Sequence, residues 1–230
     1  MQKVRSKVKT IIISSVAVLL VAGGYFWLPS ILGDSVFPLK YQDTIKRWCV
    51  AYEPTDQECP FQEAGILMME SGFNPTAVSP VGALGIAQIM PATGRTIAYG
   101  VGYLDFTSNK LFDPEIGIQF SVWQLHVLKQ KYGGSFPAAL AAYNAGTGSA
   151  DRLIRAGILG QAGSGGTASY IRNITDYVAV YHKLYQNDLQ ITGGVASVST
   201  TPIVVKQAQT SNIVWGQMLK NLVKVFTGSQ

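Results

Sequence analysis

Glu70 is followed by Ser71, Gly72, Phe73, Asn74 and Pro75, and it closes an apolar segment over residues 61–69. The spacing of apolar residues predicts a helix there, and Ser71-Gly72 supplies residues that end one. A carboxyl at that position faces the negative end of the helix dipole. Met68 and Met69 add apolar surroundings, and both influences disfavour the ionised form and raise the pKa. A carboxylic acid still protonated near neutral pH suits protonation of a glycosidic leaving oxygen. Read alone, a Glu at a helix end is more often a solvated surface residue, so further residues must decide.

Two segments supply them. Gly82, Gly85 and Gly94 punctuate residues 82–94, which also carry Gln88, Met90 and Pro91. The glycines permit close backbone approach, and the Gln88 amide suits a neutral polar ligand. Ala141-Ala142-Tyr143-Asn144-Ala145-Gly146 ends another apolar segment with an aromatic ring and an amide at its tip. Sugars suit such surfaces, because aromatic faces cover their C–H sides while amides meet hydroxyl and acetamido groups. Each segment has a bland reading, a Gly-rich turn or a capped helix end; their joint occurrence is far more specific.

The elements that must position these residues are helices. Apolar periodicity predicts helices over residues 45–52, 61–69, 116–132, 137–143 and 170–185, with no clear alternating strand. Gly and Pro separate them, and the Gly-rich residues 157–166 read as a surface loop. The expected fold class is mainly α, a helical domain over residues 41–187.

Taken as a set, these motifs resemble the catalytic domain of SLT-type lytic transglycosylases, a goose-lysozyme-like fold of glycoside hydrolase family 23. Glu70-Ser71 resembles that family's Glu-Ser motif, and residues 82–91 resemble its Gly-x-x-Gly-x-x-Gln-x-Met-Pro motif. Residues 141–146 match its Ala-Ala-Tyr-Asn-Ala-Gly motif throughout. Tyr170-Ile171-Arg172-Asn173-Ile174 resembles the context of a later family tyrosine, for which Tyr177 is the weaker match. The resemblance implies that Glu70 acts as acid and then base at the bond between N-acetylmuramic acid and N-acetylglucosamine, leaving a 1,6-anhydro end. It implies a sugar site lined by Ser71, Gln88, Met90, Tyr143, Asn144 and Tyr170, with no metal and no organic cofactor. Ala87, Gly117, Ser121 and Gln124 depart from the family pattern, at positions that bear on helix packing more than on chemistry.

Two other functions fit parts of this pattern. A hydrolytic lysozyme on the same fold needs a second carboxylate to activate water, for which Asp105 and Asp113 are the sequence candidates. A non-catalytic glycan-binding part of an envelope-spanning machine needs no Glu70 at all.

The chain ends speak of location. The 230 residues carry a formal net charge of +5, of which Lys3, Arg5, Lys7 and Lys9 supply four. The remainder is near neutral and leaves no basic stripe for nucleic acid. Residues 11–28 are uncharged and long enough to span a bilayer, so residues 1–10 read as a cytoplasmic tail and 11–28 as a transmembrane helix. A cleaved signal peptide is the competing reading. Both send residues 41–187 out of the cytoplasm, after a linker over 29–40. The expected partners are peptidoglycan strands, the membrane, and an envelope machine or virion. Cys49 and Cys59 either close a small loop as a disulfide or remain two thiols; neither has neighbours for a metal site. Residues 188–212 read as a second linker, and 213–227 as an amphipathic helix with Trp215, Met218, Leu219, Leu222 and Phe226 on one face.

Overall fold

Proline opens four of the helices in the computed structural model, which describes residues 36–161 and 166–191. A ring that fixes φ and lacks an N–H costs nothing in a helix's first turn, so these prolines set the starts. In chain order the helices are α1 (Gln42–Tyr52), α2 (Cys59–Ser71), α3 (Pro91–Gly100), α4 (Pro114–Lys131), α5 (Phe136–Ala145), α6 (Thr147–Arg155) and α7 (Gly166–Leu189). A 3₁₀ turn over Ser108–Phe112 precedes α4. Extended pairing among the described residues is confined to two isolated bridges, Val78 with Leu84 and Leu84 with Ile89. The domain is therefore mainly helical.

Helix α4 is buried along most of its length, and α1 and α5 pack on it. Its entry is tied by one carboxylate. Asp113 caps the helix, and Glu115 in its first turn accepts from Thr44 Oγ1 (3.1 Å), Trp48 Nε1 (2.9 Å) and Arg47, all on α1. A carboxylate at a helix N-terminus is also favoured by the macrodipole. Helix α2 packs chiefly on α7. Gly65 allows that approach, because a Cβ there would stand 2.9 Å from Val178 Cγ2 and 3.3 Å from the Ile174 carbonyl oxygen. Ile66, Leu125, Leu128, Leu140, Ile171 and Ile174 join α2, α4, α5 and α7 in one core.

Cys49 of α1 and Cys59 of α2 form a disulfide with Cα atoms 5.7 Å apart. The loop it closes is held to α4 by Lys129, which binds Asp56 and reaches Glu53 at 3.4 Å.

Three short elements, α3, the 3₁₀ turn and α6, were not visible in the hydrophobic pattern. Among the described residues no helix is long and apolar enough to cross a membrane. The basic tail at 1–10, the expected span at 11–28, most of the 29–40 linker, most of the 188–212 linker and the amphipathic helix at 213–227 lie outside the described residues, as do residues 162–165.

Candidate active site

Glu70 sits in the last turn of α2, half-buried. Gly72 ends the helix in the left-handed conformation (φ 61°), and the buried Phe73 follows at φ 64°. A left-handed non-glycine residue is uncommon, and here the Phe73 N–H returns to the Leu67 carbonyl at 3.3 Å while its ring enters the core. The chain thus leaves α2 sharply, and Glu70 is kept at the edge of the core.

Tyr170 of α7 donates its hydroxyl to Glu70 Oε1 at 2.5 Å. Burial pushes the Glu70 carboxyl up to about 7, against the opposing pull of that hydrogen bond. Burial also raises the Tyr170 and Tyr143 hydroxyls well above their ordinary value, with the Glu70 charge adding to both. Both tyrosines therefore stay protonated. The site combines an acid of near-neutral pKa with an aromatic donor that steadies its conjugate base.

The segment over residues 74–90 is braced against α2 and α5. Ser71 Oγ donates to the Ile86 carbonyl at 2.6 Å and accepts from the Asn74 N–H at 3.0 Å. Gln88 adopts φ 49° and donates through Nε2 to the carbonyls of Gly85 (2.8 Å) and Ala77 (3.2 Å). Gly85 has φ 74°, and a Cβ there would stand 1.8 Å from the Leu111 carbonyl oxygen. Only glycine fits. Tyr143 Oη donates to the Ala87 carbonyl at 3.2 Å and lies 3.1 Å from Ser121 Oγ.

The structure gives the predicted site residues different positions. Glu70 and Tyr170 are in direct contact, and Tyr143 is near enough to feel the Glu70 charge. The polar groups of Ser71 and the donor of Gln88 are spent on the loop itself. Met90 is exposed at the start of α3, and Asn144 is exposed near the end of α5.

The departures from the family pattern have packing roles. Gly117 makes room for Ile86, whose Cγ2 would be 2.9 Å from an added Cβ. Ala87 and Ser121 are the two partners of the Tyr143 hydroxyl. Gln124 is buried in α4.

Neither sequence candidate for a second carboxylate is free for that role. Asp113 caps α4 by accepting from the Glu115 N–H at 2.9 Å, and Asp105 is exposed beside Lys110 at 3.5 Å. A second carboxyl is present elsewhere. Glu63, two turns before Glu70 on α2, is 0% exposed, and burial raises its pKa to about 8 against the opposing pull of Ser121, with a smaller push from Glu70. Sequence reasoning missed it. Its one available signal was a lone acidic residue on the apolar side of α2, at seven-residue spacing from Glu70.

The family model of the transglycosylase SLT domain matches residues 58–157. The soluble lytic murein transglycosylase of Escherichia coli (strain K12) is 32% identical over 162 residues, 66% of this chain and 24% of that protein. The membrane-bound lytic murein transglycosylase C of Mannheimia succiniciproducens is 39% identical over 98 residues, 39% of this chain and 28% of that protein. The chain thus spans about a quarter of the length of the curated relatives it matches. Among solved structures, the 70-kDa soluble lytic transglycosylase from Escherichia coli superposes with a TM-score of 0.57 at 30% identity, over 64% of this chain and 25% of that one. A complex of the 70-kDa soluble lytic transglycosylase with bulgecin A gives 0.60 at 29% identity, over 68% and 26%. Motifs, fold and comparisons agree: residues 58–157 carry a transglycosylase SLT domain, and the helical domain is similar to those of SLT-type lytic transglycosylases.

Proposed function

We propose that this chain cleaves the β-1,4 bond between N-acetylmuramic acid and N-acetylglucosamine in peptidoglycan, leaving 1,6-anhydromuramic ends. The observation that carries the reading is Glu70, a half-buried carboxyl pushed up to about 7 and steadied by Tyr170. Protonated Glu70 gives its proton to the glycosidic oxygen as the bond from C1 to that oxygen breaks. The resulting carboxylate takes the proton of the muramic acid 6-hydroxyl as O6 closes on C1. The acid is restored, no water is consumed, and one carboxyl serves both steps. Asn144, Met90, Tyr143 and the loop around Ser71 and Gln88 form the sugar-binding surface in this reading.

Inverting hydrolysis is disfavoured by the same geometry. It needs a second carboxylate with a water beside it, about 6.5–9.5 Å from the acid. Glu63 is sealed from solvent, and Asp105 and Asp113 are engaged elsewhere. The test is digestion of purified sacculi followed by mass spectrometry. Anhydromuramic products are expected; predominantly reducing muramic ends would replace this reading with lysozyme activity.

The location follows from the sequence of the N-terminal residues. Residues 11–28 anchor the chain in the membrane, with residues 1–10 on the cytoplasmic side and the domain on the periplasmic side, beside its substrate. A relative described as membrane-bound supports this. A cell-envelope machine or a virion membrane would provide the same placement. Protease added outside spheroplasts is expected to digest the domain; a domain cut only after lysis would reverse the orientation.

A further inference from the structure

We propose, resting on the glycan-cleaving reading above, that Glu63 is a positioning residue. As a neutral carboxylic acid inside the domain, it donates to Ser121 and so fixes the direction of a hydrogen-bond chain that holds Tyr143 and the loop carrying Gln88.

The Ala87 carbonyl can only accept, so the single Tyr143 hydroxyl proton goes to it. Tyr143 Oη must then be the acceptor in its contact with Ser121, which commits the single Ser121 proton. What Ser121 still offers is lone pairs. Ser121 lies close enough that donating to the Glu63 carboxyl would favour its charged form, but its one proton is committed to Tyr143, and neither Glu63 oxygen has a partner in hydrogen-bond geometry. A buried carboxylate without a donor is strongly disfavoured, whereas a buried carboxylic acid needs one acceptor for its proton. The Ser121 lone pairs are that acceptor. The chain therefore runs in one direction, from Glu63 on α2 through Ser121 on α4 and Tyr143 on α5 to the Ala87 carbonyl, next to Gln88.

Ionising Glu63 would reverse its first link. The carboxylate would draw the Ser121 proton to itself, and Tyr143 would lose its donor. Burial sets the pH at which this happens, lifting Glu63 to about 8, with the Glu70 charge adding to it. The titratable groups coupled to Glu63 are Glu70 on its own helix, Tyr143 on α5 and Tyr170 on α7. Charged groups of the neighbouring helices are engaged elsewhere. Arg47 of α1 binds Glu115, Lys129 of α4 binds Glu53, Asp56 and Gln62, and His182 of α7 meets Glu58.

The test uses the full chain and two variants of similar size. Glu63→Gln keeps a donor for Ser121, whereas Glu63→Leu fills the space without one. Leu is expected to raise KM by up to roughly tenfold, the factor one lost hydrogen bond carries, with kcat nearly unchanged. Gln is expected to recover most of that loss, and Ser121→Ala to reproduce the Leu effect. Above about pH 8 the wild-type kcat/KM should show a further drop of up to roughly tenfold, from Glu63 on top of the Glu70 limb, and Glu63→Gln should lack that further drop. An arm independent of activity uses infrared spectra in a Glu70→Gln background. A protonated-carboxyl C=O band should persist above pH 7 and vanish when Glu63→Gln is added. If that band is seen but no anhydromuramic product forms from wild type, the catalytic reading fails and the neutral Glu63 stands. Absence of the band, equal damage from Gln and Leu, or a wild-type KM in Leu would each overturn the proposal.

Discussion

Helix α2 carries two carboxyls seven residues apart, and they meet different surroundings. Glu63 is sealed between α2 and α4, while Glu70 sits half-buried at the helix end with a tyrosine hydroxyl on it. Burial raises both pKa values, and it raises the sealed one further. A raised pKa is thus common to the two and cannot tell the proposed catalyst from its neighbour. Access distinguishes them: a proton that never reaches solvent can order the interior, and one at the surface can be exchanged with substrate.

The largest expected effect tests the accessible member. Glu70→Gln keeps shape and hydrogen-bonding capacity but removes the titratable proton, so turnover should fall by about 10²–10⁴-fold with folding intact. Measuring turnover on sacculi alongside thermal unfolding checks both halves. A folded variant with wild-type turnover would remove Glu70 from the chemistry.

The sealed member should appear in stability and in KM more than in turnover. Each carboxyl binds its proton more tightly when folded than when unfolded, so the stability it contributes is fully present below about pH 4.5 and is lost as pH rises to the folded pKa. For Glu63 the window runs from 4.5 to about 8. Its full contribution is on the order of 5 kcal/mol. Urea unfolding at pH 5 and pH 8 should show a marked loss in wild type and a much smaller one in Glu63→Gln, the remainder belonging to Glu70. Parallel losses in the two proteins would mean that Glu63 is not held neutral.

The smallest effect lies at the edge of the site. Asn144→Ala exposes no core, so unfolding should be unchanged, while glycan affinity falls by about 0.5–1.5 kcal/mol if one neutral hydrogen bond is lost. Unchanged kinetics on several glycan lengths would assign Asn144 to the surface alone.

The contrast between the two carboxyls also marks what a sequence can tell. Glu70 is legible because it stands in a motif, followed by Ser71 and Gly72 that end the helix. Helices α1, α2, α4, α5 and α7 are legible because each repeats apolar residues every three or four positions. Helices α3 and α6 are not, because they begin Pro91-Ala92-Thr93-Gly94 and Thr147-Gly148-Ser149, residues that otherwise mark turns. Glu63 is illegible for a different reason. An acidic residue in a helix normally marks the solvent face, and only the packing of α4 and α7 on α2 turns that position inward. Gln88 reads as a ligand-facing amide until the left-handed backbone folds its side chain back onto two loop carbonyls.

Glu70 and Tyr170 are separated by 100 residues, whereas the disulfide partners of α1 and α2 are separated by 10. Contacts of short separation close early, and those of long separation wait for most of the chain. A chain made from its N-terminus therefore has α2 in place while α7, the helix that covers most of it, is still missing. In that interval Glu70 lies in water as an ordinary carboxylate, ionised at neutral pH and without a proton to give. Docking of α7 brings the burial and the tyrosine together, and with them the acid. The raised acid on which the proposed reaction depends is thereby tied to completion of the fold, a built-in delay between making α2 and arming it.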